Sequence, residues 1–83
     1  MNCYVYVIYN KFAKRYYIGI TIDLNRRLYE HNQKRGKHFT AQFTGIWEII
    51  YKEEYLSKRE ALIREKQLKS YQGRQFINKL KRE

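Results

Sequence analysis

The feature that most constrains this fold is an apolar run at residues 3–9, which carries bulky β-forming side chains at every position. A strand with such residues on both faces is covered on both faces, so we predict a strand at the centre of its sheet. A second apolar run, at residues 15–20, follows a polar interruption and predicts an antiparallel hairpin. Alternation places Tyr17 and Gly19 on one face of the second strand. Gly19 therefore indicates either a bulge or a close approach of another group to the backbone.

Residues 16–31 hold the densest set of reactive groups, and we interpret them as a strand, a tight turn and a helix. Asp23 is suited to cap the helix, and the leucines after it form one apolar stripe. At about 100° per residue, Arg27 and His31 fall on or beside that stripe. Two interpretations of Arg27 stay open. In the first, the methylene groups of Arg27 cover apolar surface while its guanidinium group reaches water. In the second, Arg27 and His31 point together at an anion.

The middle of the chain predicts a basic surface loop and then a third strand. Residues 32–45 are polar, rich in turn formers and positively charged, which is typical of a surface loop. Residues 46–55 alternate, with Trp47, Ile49 and Tyr51 on one drier face. This period of two predicts a strand at a sheet edge.

Two helical segments complete the chain. The sequence Ser-Lys-Arg-Glu at residues 57–60 is a capping box, which predicts a helix over residues 57–69. A last segment, residues 74–82, follows a break at Gly73 and predicts a short packing helix. The order strand, strand, helix, strand, helix, helix predicts one α+β domain over residues 1–83, with helices flanking a small three-stranded antiparallel sheet.

The first of these two helices carries an acidic residue on its apolar side. Ala61, Leu62 and Leu68 mark its inward arc, and Glu65 lies in the middle of that arc. A carboxylate in this place is either paired with a neighbouring lysine or arginine, or it is a metal ligand or general base. The second interpretation is reasonable because a carboxylate on a rigid helix suits a hard cation such as Mg²⁺.

The charge balance favours an anionic partner. Eighteen Lys and Arg against eight Asp and Glu give a formal net charge of +10, which attracts a polyanion or an anionic membrane surface. No apolar run reaches the roughly 18 residues of a membrane span, and the apolar start lacks the basic leader of a signal peptide. We therefore expect a cytoplasmic protein that does not insert into membranes. Cys3 is the only cysteine, so neither an internal disulfide nor a thiolate cluster for zinc is expected.

Taken together, these residues resemble the GIY-YIG nuclease family. The matching segments are Tyr-Val-Tyr at 4–6, Tyr-Ile-Gly at 17–19, Asp-Leu, Arg-Arg and His-Asn within 23–32, and Ala-Leu-Ile-Arg-Glu at 61–65, followed by Leu-Lys at 68–69. The resemblance covers nearly the whole chain and is strongest to small stand-alone bacterial members. It implies hydrolysis of DNA phosphodiester bonds, on duplex or branched DNA, with one Mg²⁺ or Mn²⁺ ion. DNA repair, restriction or mobile-element processing would be the setting.

By position, the resemblance assigns catalytic roles to five residues. Tyr6 would activate the attacking water, or act as base or nucleophile. Tyr17 would form a hydrogen bond near the scissile phosphate or to a water molecule bound to the metal ion. Arg27 would stabilise the charge that develops on the phosphate. His31 would tune Tyr6 or relay its proton, and Glu65 would hold the metal.

The sequence departs from the family pattern at three places. Tyr-Val-Tyr at 4–6 replaces Gly-Ile-Tyr. Ile20 stands where the excision-repair incision branch has a lysine, so the role of that lysine is absent here or passes to His31. Asn78 lies about one residue out of register with a distal asparagine that some members use.

Two other classes of function stay open from the sequence. A basic module of the same fold would bind nucleic acid without cleaving it, and its salt-sensitive phosphate contacts would come from Lys34, Arg35, Lys37, Lys66 and Lys69. An interaction protein would instead dock through an aromatic edge, which requires a large apolar patch. On DNA we expect weak sequence specificity, with targeting supplied by a partner protein or by a homodimer.

Overall fold

A computed structural model describes residues 2–34 and 39–81 of the chain. Its strands are β1 (Cys3–Asn10), β2 (Arg15–Thr21) and β3 (Trp47–Tyr55), and its α-helices are α1 (Leu24–Gln33), α2 (Lys58–Leu68) and α3 (Tyr71–Leu80), with a short 3₁₀ helix at Phe39–Gln42. The order of strands and α-helices is the predicted one, so the α+β class is confirmed. Within the described ranges, none of the helices has the length and apolar character needed to cross a bilayer.

β1 lies at the centre of the antiparallel sheet, whose strand order is β2-β1-β3. Val5 and Val7 are completely buried, as expected for a strand with bulky residues at every position. Tyr6 pairs with Gly19 across β1 and β2. Directly paired residues of an antiparallel ladder share a face, so Tyr6 lies on the same face as Gly19 and Tyr17.

The sheet has one apolar core on each face. α2 and α3 cover one face, and the buried members of that core are Cys3, Val5, Val7, Ile18, Ala61, Leu68 and Ile77. α1 covers the other face, and the buried members there are Tyr6, Ile8 and Trp47, with Leu24 and Leu28 packed against them. The chemically reactive residues of β1, β2 and α1 therefore meet at the second core.

β3 lies at a sheet edge, as predicted, but its alternation is interrupted. The register of β1 with β3 skips Ile50, which makes this residue a β-bulge. Trp47 and Ile49 consequently belong to the core beneath α1, whereas Tyr51 belongs to the core beneath α2. The prediction that Trp47, Ile49 and Tyr51 share one face is wrong, because one extra residue reverses every later side chain.

Asn32 near the end of α1 fixes the start of β3. Its side-chain amide donates to the carbonyl oxygen of Trp47 at 3.1 Å, and its side-chain oxygen accepts from the backbone N–H of Trp47 at 2.8 Å. Both backbone groups of one strand residue are thus satisfied by a helix side chain. This connection holds the last turn of α1, including His31, close to the sheet.

The two C-terminal helices require two corrections to the sequence interpretation. Leu62 is 43% exposed, so it lies outside the inward arc of α2. α3 begins at Tyr71 after the N-cap Ser70, and Gly73 lies in its first turn rather than at a break. A Cβ atom at Gly73 would lie 2.2 Å from the carbonyl oxygen of Leu68. This glycine therefore permits the close approach of α3 to the end of α2.

Two parts of the predicted surface loop, residues 32–45, belong to helices. α1 continues to Gln33, and the 3₁₀ helix follows at Phe39–Gln42. Thr40 in that helix is 2% exposed, which a wholly solvated loop would not allow. Residues 35–38, with the predicted phosphate contacts Arg35 and Lys37, lie outside the described residues.

Candidate active site

A buried hydrogen bond between Tyr6 and His31 forms the centre of the candidate site. The Tyr6 hydroxyl on β1 lies 2.8 Å from Nε2 of His31 on α1, and both side chains are buried. α1 starts where the sequence predicts, because the side chain of Asp23 accepts from the backbone N–H of Arg26. From that start, the period of the helix brings His31 to the sheet side two turns later.

Thr40 holds the second nitrogen of the imidazole. Nδ1 of His31 lies 2.8 Å from Oγ1 of Thr40. The carbonyl oxygen of Thr40 accepts from the indole N–H of Trp47 at 3.2 Å, so the threonine is itself anchored in the core. With partners on both nitrogens, the ring of His31 is fixed in orientation. Thr40 is not among the residues that the sequence predicts, since nothing distinguishes it within a polar segment.

Gly19 makes room for the ring of Tyr6. A Cβ atom at this position would lie 2.6 Å from the hydroxyl oxygen of Tyr6 and 2.9 Å from Cε2 of Tyr17. Of the two predicted reasons for Gly19, the close approach is therefore the correct one. The ring of Tyr17 lies 5.0 Å from that of His31 and 6.4 Å from that of Tyr6, measured between centroids. These three rings form one cluster over Gly19.

Burial raises the pKa of Tyr6 to about 12, although the guanidinium of Arg27 beside the hydroxyl lowers it. Tyr17 and the carboxylate of Glu65 raise this pKa further, since negative charge nearby disfavours the phenolate. Together with the hydrogen bond to His31, these interactions connect the Tyr6 hydroxyl with each of the other four predicted catalytic residues. At neutral pH, Tyr6 is a phenol that can donate its proton.

Arg27 lies at the border between this cluster and solvent. Its side chain is 33% exposed, and Nη1 lies 3.0 Å from Oε1 of Glu30, whose side chain is 43% exposed. An exposed ion pair of this kind contributes little to stability because solvent screens it, so an incoming anion can replace Glu30. The adjoining cavity of about 370 Å³ is lined by Arg27, Tyr29, Glu30, His31, Gln33, Thr40 and Ala41.

Glu65 has the ion pair that the sequence suggested, but the contact is loose. Its Oε2 atom lies 3.5 Å from Nζ of Lys69, whose side chain is 55% exposed, while the carboxylate is 20% exposed. Among the residues that the structure describes, no group of three or more His, Cys, Asp or Glu is placed to hold a metal. Mg²⁺ keeps several waters and binds to one or two carboxylates plus substrate phosphates. Glu65 therefore fits a magnesium site of that type and does not fit a site built wholly from protein ligands.

The predicted nucleic-acid contacts are divided by the structure. Lys66 and Lys69 are exposed on α2 and at its C-cap. Lys34 ends α1 in a left-handed conformation, and its Nζ atom is shielded from solvent without a hydrogen-bond partner among the described residues. Arg35 and Lys37 lie outside those residues. Of the five predicted contacts, the structure thus shows two, Lys66 and Lys69, exposed to a phosphate backbone.

Comparison with known proteins identifies the family. The family model of the GIY-YIG catalytic domain matches residues 2–81, so the chain belongs to the GIY-YIG family. This is a nuclease-type family whose members act on DNA and generally use divalent metal ions. The family resemblance inferred from the sequence is therefore confirmed.

Within this family, the chain is similar to proteins called UPF0213. A UPF0213 protein of Staphylococcus epidermidis is 36% identical over 61 residues, which are 74% of this chain and 73% of the relative. One from Streptococcus pneumoniae is 34% identical over 80 residues, covering 93% and 79% of the two chains. The UPF0213 protein of Bacillus halodurans, solved by NMR in solution, is 30% identical with a TM-score of 0.56, over 98% of this chain and 86% of that chain.

Proposed function

We propose that this protein is an endonuclease that hydrolyses DNA phosphodiester bonds with the help of one Mg²⁺ or Mn²⁺ ion. The single observation that supports this most strongly is the buried Tyr6 hydroxyl, bonded to His31 and influenced by both Arg27 and Glu65. Membership of a nuclease-type family supports it independently. DNA repair, restriction or mobile-element processing in the cytoplasm is the proposed setting, and targeting by a partner protein or a homodimer stays a prediction.

Tyr6 and His31 supply a proton relay for the attacking water. With a pKa of about 12, Tyr6 is protonated at neutral pH and donates to Nε2 of His31. This relay requires a neutral imidazole with its proton on Nδ1, and Nδ1 then donates a hydrogen bond to Oγ1 of Thr40. As water attacks phosphorus, one of its protons passes to the Tyr6 oxygen while the Tyr6 proton passes to Nε2. Because the two proton transfers occur together, no free phenolate accumulates, and the proton taken from water ends on the imidazole.

Arg27 and Glu65 act on the phosphate side of this reaction. The guanidinium of Arg27, released from Glu30, stabilises the charge that develops on the phosphate oxygens. The bond between phosphorus and the leaving oxygen breaks, and that oxygen takes a proton from solvent. Glu65 would hold the divalent ion, which when bound supplies Lewis-acid stabilisation of the phosphate. Tyr17 packs against His31 and would keep the relay in place, and the family resemblance implies that it would also hydrogen-bond near the same phosphate.

A cleavage assay tests this proposal. Supercoiled plasmid and labelled duplex, branched and single-stranded oligonucleotides are incubated with Mg²⁺, with Mn²⁺ or with chelator. We expect metal-dependent cleavage that falls at least about 100-fold in Arg27→Ala and in Glu65→Gln, since each removes transition-state stabilisation. Arg26→Ala is the matched control, because Arg26 pairs with the same Glu30 at 3.4 Å but its side chain is 77% exposed. That variant should stay within about threefold of wild type.

The opposite result would favour the alternative of a catalytically silent nucleic-acid-binding module. Wild-type protein would then bind DNA with strong salt dependence and cleave no substrate with either metal. Glu65→Gln would leave its affinity unchanged. In that case Glu65 is a structural ion-pair partner of Lys69, and the exposed lysines of α2 carry the function.

A further inference from the structure

A groove of about 440 Å³ runs along the outer edge of β2, beside the ring cluster of the candidate site. Its lining residues are Tyr16, Tyr17, Ile18, Phe39, Lys69 and Arg74. Tyr17 belongs both to the groove and to the cluster, and Lys69 pairs with Glu65. The groove is thus continuous with the proposed reaction centre. Its volume falls within the roughly 300–1,000 Å³ that is common for small-molecule sites.

The groove contains an aromatic surface that is supported from behind. The rings of Phe39 and Tyr17 have centroids 6.2 Å apart and planes inclined by only 24°. Phe39 is 42% exposed and also contacts the ring of Phe43 at 5.0 Å. The next residue along the chain is Thr40, which His31 anchors through Nδ1. An exposed aromatic ring held this firmly is suited to stack with a flat ligand.

Two cationic side chains complete the lining. Lys69 lies at the C-cap of α2 and Arg74 lies in α3. They are brought together because Gly73 lets the first turn of α3 approach the end of α2. Both residues are exposed, and the ion pair of Lys69 with Glu65 is long at 3.5 Å. A phosphate can therefore recruit both cations at little cost in lost contacts.

A flat aromatic surface next to two cations matches one ligand chemistry, that of a nucleotide whose base is not paired. We infer that this groove binds an unpaired DNA nucleotide next to the scissile phosphate. Its base stacks on Phe39 and Tyr17, and its backbone phosphate contacts Lys69 and Arg74. This inference rests on the proposed nuclease function and specifies its substrate as DNA with a single-stranded flap or fork.

Continuous duplex does not fit the groove equally well. Inside a duplex each base is already stacked between its neighbours, so its faces are not available to a side chain unless the base is extruded. At a flap or fork the first unpaired base has lost that stacking. The free energy of stacking on Phe39 is then gained without the cost of extrusion, and this difference favours the branched substrate.

Binding measurements in chelator test the inference without cleavage. Fluorescence anisotropy compares duplexes with a 5′ or a 3′ flap, the same flaps with abasic sites at the first unpaired positions, and continuous duplex of the same sequence. We expect Phe39→Ala to weaken binding of at least one flap substrate on the order of tenfold, since a base–aromatic stack is typically worth that much. Binding of duplex and of the abasic flap should change little, and Phe39→Tyr should restore the flap affinity.

Phe12→Ala is the matched control, because Phe12 is also an exposed phenylalanine, at 76%, and does not line the groove. The inference is overturned if Phe39→Ala binds flap DNA as wild type does, or loses affinity equally for flap and duplex. Failure of the nuclease proposal is a separate result. Wild type would then show base-dependent flap binding in chelator but no cleavage when Mg²⁺ or Mn²⁺ is added.

Discussion

Two hydrogen-bonded networks with tyrosines, one around Glu53 and one around Tyr6, differ in how completely their charged groups are bonded. Beneath α2, Glu53 accepts from Nε and Nη2 of Arg64 at 2.9 and 3.1 Å, from the hydroxyl of Tyr55 at 2.5 Å and from the hydroxyl of Tyr51. Each carboxylate oxygen has two donors. Burial raises the pKa of Glu53, but these hydrogen bonds hold it below its usual value.

Near the Tyr6 cluster, the charged groups are far less satisfied. Glu65 has one lysine at 3.5 Å, and Arg27 has one exposed carboxylate at 3.0 Å. Glu53 is closed to further ligands, whereas Glu65 retains lone pairs for one. The carboxylate of Glu53, with four donors, therefore stabilises tertiary structure. The carboxylate of Glu65, with one loose donor among the described residues, is available for binding.

The largest effect that we expect on stability concerns Tyr6 at high pH. In the unfolded chain a tyrosine has a pKa near 10, and burial raises it to about 12 in the fold. The stabilisation is fully present below pH 10 and is lost as the pH rises to 12, because only the unfolded state releases the proton. The difference of about two between the pKa values corresponds to roughly 2.7 kcal/mol.

Denaturant unfolding of wild type and Tyr6→Phe at pH 8 and at pH 11.5 measures the contribution of Tyr6 to the free energy of unfolding. Tyr51 and Tyr55, whose pKa values are also raised by their bonds to Glu53, contribute equally to both proteins. The free energy of unfolding should therefore fall less with pH in Tyr6→Phe. An equal fall in the two proteins would contradict the burial of a protonated phenol in the candidate site.

The next effect separates the two carboxylates. Glu53→Gln weakens the bidentate contact with Arg64 and should lower the free energy of unfolding by about 2 kcal/mol, as expected for a part-buried charge network. Glu65→Gln should change it by less than about 0.5 kcal/mol, because its partner is exposed. Urea denaturation measures both variants. If Glu65→Gln were the more destabilising, Glu65 would be the structural residue and the contrast between the two networks would be lost.

The smallest effect concerns the orientation of His31. Thr40→Val removes the hydroxyl that bonds to Nδ1 but leaves the backbone carbonyl that accepts from Trp47. We expect cleavage to slow by about tenfold, because the imidazole loses a partner that fixes its orientation, and the free energy of unfolding to fall by about 1 kcal/mol, because a buried hydrogen bond is lost. Thr40→Ser should recover most of the rate. If Thr40 were purely structural, the valine and serine variants would cleave DNA at the same rate.

The parts of this fold that the sequence predicts are those set by local chemistry. A strand with apolar residues on both faces is central, and Asp23 and Ser57 cap helices where their side chains accept from backbone N–H groups. The second cap differs from the expected capping box in one bond. The carboxylate of Glu60 accepts a hydrogen bond from the hydroxyl group of Ser57 rather than from its backbone N–H. Arg27 and Glu65 also stand out in the sequence, because a charge on an apolar stripe conflicts with the local pattern.

The parts that the sequence does not predict depend on contacts between distant residues. The bulge at Ile50 exists only relative to β1. Gly73 resembles a helix break in the sequence, but in the structure it makes room for the backbone of Leu68. Thr40 acquires its role only because His31 and Trp47 reach it from two other elements. Ile50 and Thr40 do not differ locally from their neighbours, and Gly73 gives a local signal for a helix break that does not exist, so periodicity and capping rules do not reveal these contacts.

The amide of Asn32 has a consequence beyond holding α1 against β3. β3 is an edge strand, and the exposed edge of a sheet is where a strand from another molecule adds and where aggregation starts. At Trp47 the two backbone groups that such a strand would need are already bonded to Asn32. A single side chain thus imitates the next strand for one residue and blocks sheet extension at the point where β3 begins.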